Sequence, residues 1–284
     1  MTRQSAIARR VEQLLGTAVV STAPVAGGDI NAATRLRLSD GRIVLLKSQP
    51  GPPPGFFASE ARGLQRLAHA GVPVPTPLAY DESCLVLPWI EPGRPTADAA
   101  DQLGRDLAAL HQAPCATFGA EEDGWIGRLP LPNTPAPSWA EFYAAQRVAP
   151  YLRLALERRA IDADDAEVVA AAMGRLPALV PAEPPALLHG DLWNGNVLWG
   201  ADGRAHLIDP AVHGGHRETD LAMLALFGLP QLPRVLAAYQ EVFPLADGWA
   251  ERVGLHQLFP LLAHAAMFGG GYGDRAARLA RAFL

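Results

Sequence analysis

The sequence predicts an α+β fold of two lobes, a small one built on an antiparallel sheet and a larger, mostly helical one. Three observations carry that expectation. Short runs rich in Val, Ile, Leu and Thr crowd the first 90 residues, helical periodicity dominates from residue 97 onward, and a single non-helical island around residues 187–210 interrupts the second part.

A short amphipathic helix opens the chain. Strands are expected over Val19–Val25, Thr34–Leu38 and Ile43–Lys47, with Ser39-Asp40-Gly41 as the turn of a hairpin between the last two. The QPGPPPG stretch at 49–55 cannot continue either regular element, and FASEARGLQRLAHAG after it has helical spacing and a stop at Gly71. Extended runs at Pro77–Tyr80 and Cys84–Ile90 complete the sheet before the Glu91-Pro92-Gly93 break, so a hinge is placed at residues 88–93. Helices are then expected at 97–112, 138–159, 163–176, 218–228, 231–243 and 249–268, with a Pro-rich loop from Ala113 to Pro137. In the island, LLHGDLWNGNVLW and RAHLIDP read as two short strands flanking polar loops, joined by a turn at Ala201-Asp202-Gly203. GGGYGD, from Gly269 to Asp274, follows a helix without a strand before it and reads as a helix stop.

Composition narrows the partners. The 284 residues carry 24 basic and 29 acidic side chains, a formal charge of -5, which offers no general attraction to phosphate backbones or anionic lipid. Nucleic acid and membrane are therefore not expected as partners. The two cysteines, Cys84 and Cys115, suit neither a disulfide framework nor a zinc site, and no stretch approaches the roughly 18 to 20 apolar residues of a membrane span, so a cytoplasmic protein is expected.

The chemistry gathers in the island. HGDLWNGN places Asp191 five residues before Asn196, and Asp209 follows thirteen residues later at the end of an apolar strand. That spacing matches the catalytic and metal-binding loops of phosphoryl-transfer enzymes. A tight loop would present Asp191 to an acceptor hydroxyl, while the Asn196 amide oxygen and the Asp209 carboxylate are hard ligands for Mg²⁺. Lys47, at a strand end, and Glu60, thirteen residues on, suit an ion pair that holds the lysine against the phosphates of ATP. Gly27-Gly28-Asp29-Ile30-Asn31 lies between two strands, where bare backbone could approach a triphosphate. Each residue alone has a plainer reading as turn, cap or solvated end; their order and spacing favour the chemical one. His189 reads as a loop-orienting residue, and Trp125, Trp139 and Trp249 as packing residues.

The strings GGDIN, HGDLWNGN and DPAVHGGHRETDLAM, with FxxEARGL around Glu60, Leu110-His111 and the region from Trp125 to Phe142, closely resemble the fructosamine kinase (ketosamine-3-kinase) family. That family is related to aminoglycoside and choline kinases within the protein-kinase-like superfamily. HGD-x-x-x-x-N alone would indicate only the superfamily; Trp193 and the later GHRE-x-DLAM point to the family.

The resemblance implies a bilobal protein-kinase-like fold with an N-terminal nucleotide-binding lobe at 1–90 and a catalytic, substrate-binding lobe at 91–284. It implies transfer of the ATP γ-phosphate to the 3-hydroxyl of a ketosamine, small or protein-bound, in deglycation repair. On that reading Asp191 is the base or orienter, Asn196 and Asp209 hold Mg²⁺, and Gly27, Gly28, Lys47 and Glu60 serve ATP. Pro88 and Ile90 would take the adenine, Trp193 and His216 would meet the substrate, and Asp220 would brace the catalytic loop. Two departures stand out: Pro88 replaces a common acidic residue and has no N–H to donate, and His213 replaces a common tyrosine, which suggests a differently shaped acceptor pocket. The alternatives are a kinase for another hydroxylated amine, such as an aminoglycoside or choline, and a nucleotide-binding pseudokinase.

Overall fold

Alternation of apolar side chains along three strands gives the small lobe two covered faces. The computed structural model describes residues 3–26 and 30–284, with side chains from residue 7, so Gly27 and Gly28 lie outside the described residues. Strands β1 (Val19–Val25), β2 (Ala32–Leu38), β3 (Ile43–Ser48), β4 (Ala79–Tyr80) and β5 (Cys84–Pro88) form one antiparallel sheet in the order β1-β2-β3-β5-β4. Leu36, Leu38, Val44, Leu46 and Val86 point to one face, where Val11 of helix α1 (Arg3–Leu15) covers them. Leu85 and Leu87 point to the other, against Phe56, Phe57, Ala61 and Leu64 of helix α2 (Phe56–His69). The β2–β3 hairpin closes as its sequence demands: Gly41 takes φ 89°, and the Asp40 carboxylate accepts the Arg42 N–H at 3.0 Å.

Past β5 the chain runs along the β9–β10 hairpin, where β9 is Val197–Trp199 and β10 is Ala205–Leu207: Gly93 N–H donates to Trp199 O, and Ala201 N–H to Glu91 O, both at 2.7 Å. Helix α3 (Ala97–His111), capped by the Thr96 hydroxyl, packs along α9 (Leu232–Val242). A Cβ at Gly104 would lie 2.2 Å from Val235 O, so the glycine lets these helices touch. A helical stretch follows, made of α4 (Trp139–Phe142), a π-helical turn (Tyr143–Val148) and α5 (Ala149–Glu157), then α6 (Ala163–Met173) and α7 (Leu176–Leu179). Strand β8 (Ala186–Leu188) pairs with β11 (His213–Gly215), enclosing the HGDLWNGN segment. Helices α8 (Glu218–Leu226), α10 (Trp249–His256), α11 (Leu258–Phe268) and α12 (Tyr272–Arg281) complete the α+β, two-lobed fold. Among the described residues no helix is long and apolar enough to cross a membrane.

Two local expectations change and one holds. The loop at 113–137 contains a hairpin, β6 (Gly124–Ile126) with β7 (Leu129–Leu131), whose three-residue strands are too short to show a period. The helix expected over 249–268 is two, α10 and α11, broken at Gln257. There the buried Tyr143 hydroxyl takes the Phe259 N–H at 3.1 Å and lies 3.0 Å from the carbonyls of Leu255 and His256. The Gly269–Gly271 run does stop α11, with all three φ positive, and α12 begins directly after it.

Candidate active site

The loop between β8 and β9 is fixed from behind before it presents anything to solvent. Asp220, on the first turn of α8 and 1% exposed, accepts the N–H of His189 at 2.8 Å and of Gly190 at 3.0 Å, with His111 Nε2 at 3.3 Å. Burial by itself would raise its pKa; the His111 hydrogen bond and charge, with the loop N–H groups, outweigh burial and hold the carboxyl below its ordinary value. His189 Nδ1 accepts the Asp191 N–H at 3.2 Å, so its Nε2–H donates to Ile208 O at 2.9 Å. Burial keeps this ring neutral, its pKa below the usual histidine value. Gly190 has φ 83°, and a Cβ there would sit 2.1 Å from Ala211 O, so the loop tolerates only glycine at this point.

Asp191 is consequently held still. Asn196, in the 3₁₀ turn Asn194–Asn196, donates its amide N–H groups to Asp191 O at 2.8 Å and Asp191 Oδ2 at 3.0 Å, which leaves the Asn196 amide oxygen uncommitted. Burial, and then the nearby Asp209 charge, push the Asp191 carboxyl up to about 7. Asp209 follows β10 at φ 54°, an uncommon conformation for a residue with a side chain, and its carboxylate is about half exposed. Lys47 Nζ lies 2.5 Å from Asp209 Oδ1 and 2.6 Å from Glu60 Oε1. Burial opposes the charge on Lys47, but these two carboxylates prevail and hold the ammonium above its usual range. Glu60 moves up to about 7, chiefly through burial and, after the opposing pull of Lys47, through the Asp209 charge.

These groups meet in one cleft of about 950 Å³. Lys47, Glu60, Pro88, Ile90, Asp191, Trp193, Asn196 and Asp209 all line it. The Ile90 N–H finds no backbone acceptor among the described residues. The donor set of Asn196 and Asp209, one free amide oxygen and one half-exposed carboxylate in the same cleft, fits a hard divalent ion such as Mg²⁺.

His216, expected to meet substrate, is not among the residues that line the cleft. Its side chain is 1% exposed, against Trp139 and His256. His216, Glu218 and His256 bring possible ligand atoms within 4.8 Å of one another. Arg252 takes both Glu218 oxygens at 2.6 and 2.9 Å, and Arg217 takes both Glu183 oxygens at 2.7 Å beside His216. Two guanidinium groups repel a further cation, so this cluster is a charge-balanced hydrogen-bond network. His213 is likewise buried, its Nδ1–H donating to Ala211 O at 2.8 Å.

Residues that the sequence reading passed over form the far wall. Trp193 meets Phe227 edge-on at 5.6 Å; His264 lies 5.1 Å from Phe227 and 5.2 Å from Tyr272, and all line the cleft. In α11, Pro260, Ala263, His264, Met267 and Phe268 reach it at spacings of three and four, a helical face legible in the sequence once one side is known to be open.

A β-lobe lysine paired with a helix glutamate, sharing one cleft with an Asp/Asn/Asp loop system, defines a phosphotransferase of the protein-kinase-like fold whose acceptor is an alcohol. The fructosamine kinase family model matches residues 3–284, and the chain belongs to that family. It is 38% identical over 268 residues to a chain from Enterococcus faecium assigned as a ketoamine kinase, covering 92% of this chain and 94% of that one. It is 32% identical over 270 residues to the protein-ribulosamine 3-kinase of Arabidopsis thaliana, covering 92% and 81%. A crystal structure from Thermobifida fusca YX-ER1, assigned as a fructosamine-3-kinase, superposes with a TM-score of 0.92 at 47% identity, covering 98% of each chain.

Proposed function

We propose that this chain transfers the γ-phosphate of ATP to the 3-hydroxyl of a ketosamine, free or carried on a protein, as a step in deglycation. One observation carries the reading: Asp191, Asn196 and Asp209 share a cleft with the Lys47–Glu60 pair in a chain of the fructosamine kinase family. The names of the Enterococcus and Arabidopsis relatives support a ketosamine as the acceptor.

On this reading residues 1–90 bind the nucleotide and residues 91–284 bind the acceptor. Lys47, fixed by Glu60, holds the triphosphate, and Pro88 O with Ile90 N–H takes the adenine edge, so the missing N–H at Pro88 is tolerated. Asn196 and Asp209 hold Mg²⁺, which when bound neutralises charge on the phosphates. Asp191 orients the acceptor hydroxyl and takes its proton as the new O–P bond forms and the bond to the ADP oxygen breaks. Trp193 and the aromatic wall behind it receive the carbon face of the sugar.

The test is a product analysis: the protein with ATP, Mg²⁺ and fructosamine or ribulosamine adducts of lysine, followed by phosphorus–proton NMR. Phosphate on the ketose 3-oxygen is expected. Phosphate on another oxygen, or turnover of choline or an aminoglycoside but of no ketosamine, would overturn the proposal.

A further inference from the structure

The β6–β7 hairpin carries Trp125, Ile126 and Gly127 into the cleft, yet among the described residues its two three-residue strands pair only with each other. A two-stranded hairpin of that size is marginal alone, so its position has to be imposed from outside. The helical stretch 139–157 reaches it through two side chains spaced four apart, Arg147 and Tyr151, while Tyr143, one turn earlier, holds the neighbouring α11; all three are essentially buried.

Tyr151 donates its hydroxyl to Pro130 O at 2.7 Å. Arg147 donates from Nη1 to Pro132 O at 2.5 Å and from Nη2 to Asn133 Oδ1 at 2.6 Å. Asn133 passes the constraint on: its Nδ2 donates to Glu122 O at 3.1 Å, and its N–H to Asp123 Oδ1 at 2.8 Å, so both ends of the hairpin are tied to one guanidinium. That guanidinium lies over the rings of Phe142 at 4.5 Å and Phe259 at 5.6 Å. Phe259 lines the cleft from α11, and Tyr143 holds its N–H. A cation buried to 1% exposure on carbonyl and amide oxygens is a poor choice for packing alone, where an apolar side chain would serve better. Its five fixed donors suit the holding of a geometry. The stretch is π-helical at Tyr143–Val148, a wide turn common beside functional sites.

We infer that Arg147 is a positioning residue that fixes the β6–β7 hairpin against α11 and so sets the width of the acceptor end of the cleft. Its kinetic consequence rests on the ketosamine kinase reading; its structural consequence does not.

The experiment uses the full chain as wild type, Arg147→Met, Arg147→Lys and Tyr151→Phe. Hydrogen exchange at residues 124–131 is followed together with KM for ATP and KM for a ribulosamine adduct of lysine. Arg147→Met should speed exchange in the hairpin and raise the acceptor KM about ten-fold or more, with KM for ATP within about two-fold. Arg147→Lys should recover part of both effects, and Tyr151→Phe should move both the same way by less. Unchanged hairpin exchange in Arg147→Met refutes the inference, as does unchanged exchange in both milder variants if that one does not fold. Equal rises in both KM values also refute it. If the wild type accepts no ketosamine, the functional reading fails while the exchange measurement still decides the role of Arg147.

Discussion

Replacing Asp220 by asparagine changes one oxygen of a buried carboxylate into an NH₂ group that must face an N–H. The carboxylate now takes two backbone donors, from His189 and Gly190, at 2.8 and 3.0 Å, and lies against His111. Asparagine can accept only one of the two. The other N–H loses a charge-assisted bond and meets a second donor, which removes about 1.5–3 kcal/mol for the bond and adds the penalty of a buried, unpaired group. The expected loss of stability is roughly 3–5 kcal/mol, read as a lower denaturant midpoint at unchanged slope. Because the two donors sit immediately before Asp191, kcat should fall by more than about ten-fold even where the variant is fully folded. The sign with pH follows from the lowered carboxyl: Asp220 stabilises the fold above the ordinary carboxylate range, and that contribution is lost as pH falls through its depressed pKa. Asp220→Asn should therefore lose less further stability in acid than the wild type does. A folded Asp220→Asn with wild-type kcat, or a change in stability below about 1 kcal/mol, would refute the bracing role.

Two further predictions follow from the charged groups. Glu218, gripped by Arg252 and His256, is held down to about 2 against the opposing effect of burial, so its contribution is full above about 4.5 and lost as pH falls toward 2; Glu218→Gln should cost roughly 2–4 kcal/mol near pH 7 in chemical unfolding and flatten that acid limb, and an unchanged limb would contradict it. Lys47→Met leaves Glu60 and Asp209 without the cation between them, so KM for ATP should rise at least about ten-fold, read in initial-rate kinetics, and an unaltered KM would remove Lys47 from the nucleotide site.

How much of this was legible in the sequence depends on the range over which each signal acts. The sheet was readable because Leu36, Leu38, Val44 and Leu46 alternate over runs long enough to show a period, and because Asp40-Gly41 states its own turn. That Asp191, Asn196 and Asp209 share one cleft was readable because the expected chemistry demands those residue types at short, fixed spacing. The β6–β7 hairpin was not, since three residues around Pro130 carry no period and their carbonyls are held by Arg147 and Tyr151 from the next helical stretch. The break at Gln257 was hidden for a similar reason: the Tyr143 hydroxyl that satisfies the two helix ends comes from more than a hundred residues away. The position of His216 was not legible, because its neighbours in sequence lead toward the cleft whereas its ring turns back toward Trp139, Glu183 and His256. The wall of Phe227, His264 and Tyr272 depends on which face of α11 is left open, which only the assembled fold decides.

The most direct test of the account is Mg²⁺-dependent ATP turnover against fructosamine and ribulosamine adducts of lysine, with Asp191→Ala as the comparison. Phosphorylation of a ketosamine by the wild type is expected, with a loss of at least about a thousand-fold in kcat for Asp191→Ala while ATP still binds. Undiminished turnover in Asp191→Ala, or ATP binding by the wild type without transfer to any ketosamine, would contradict it.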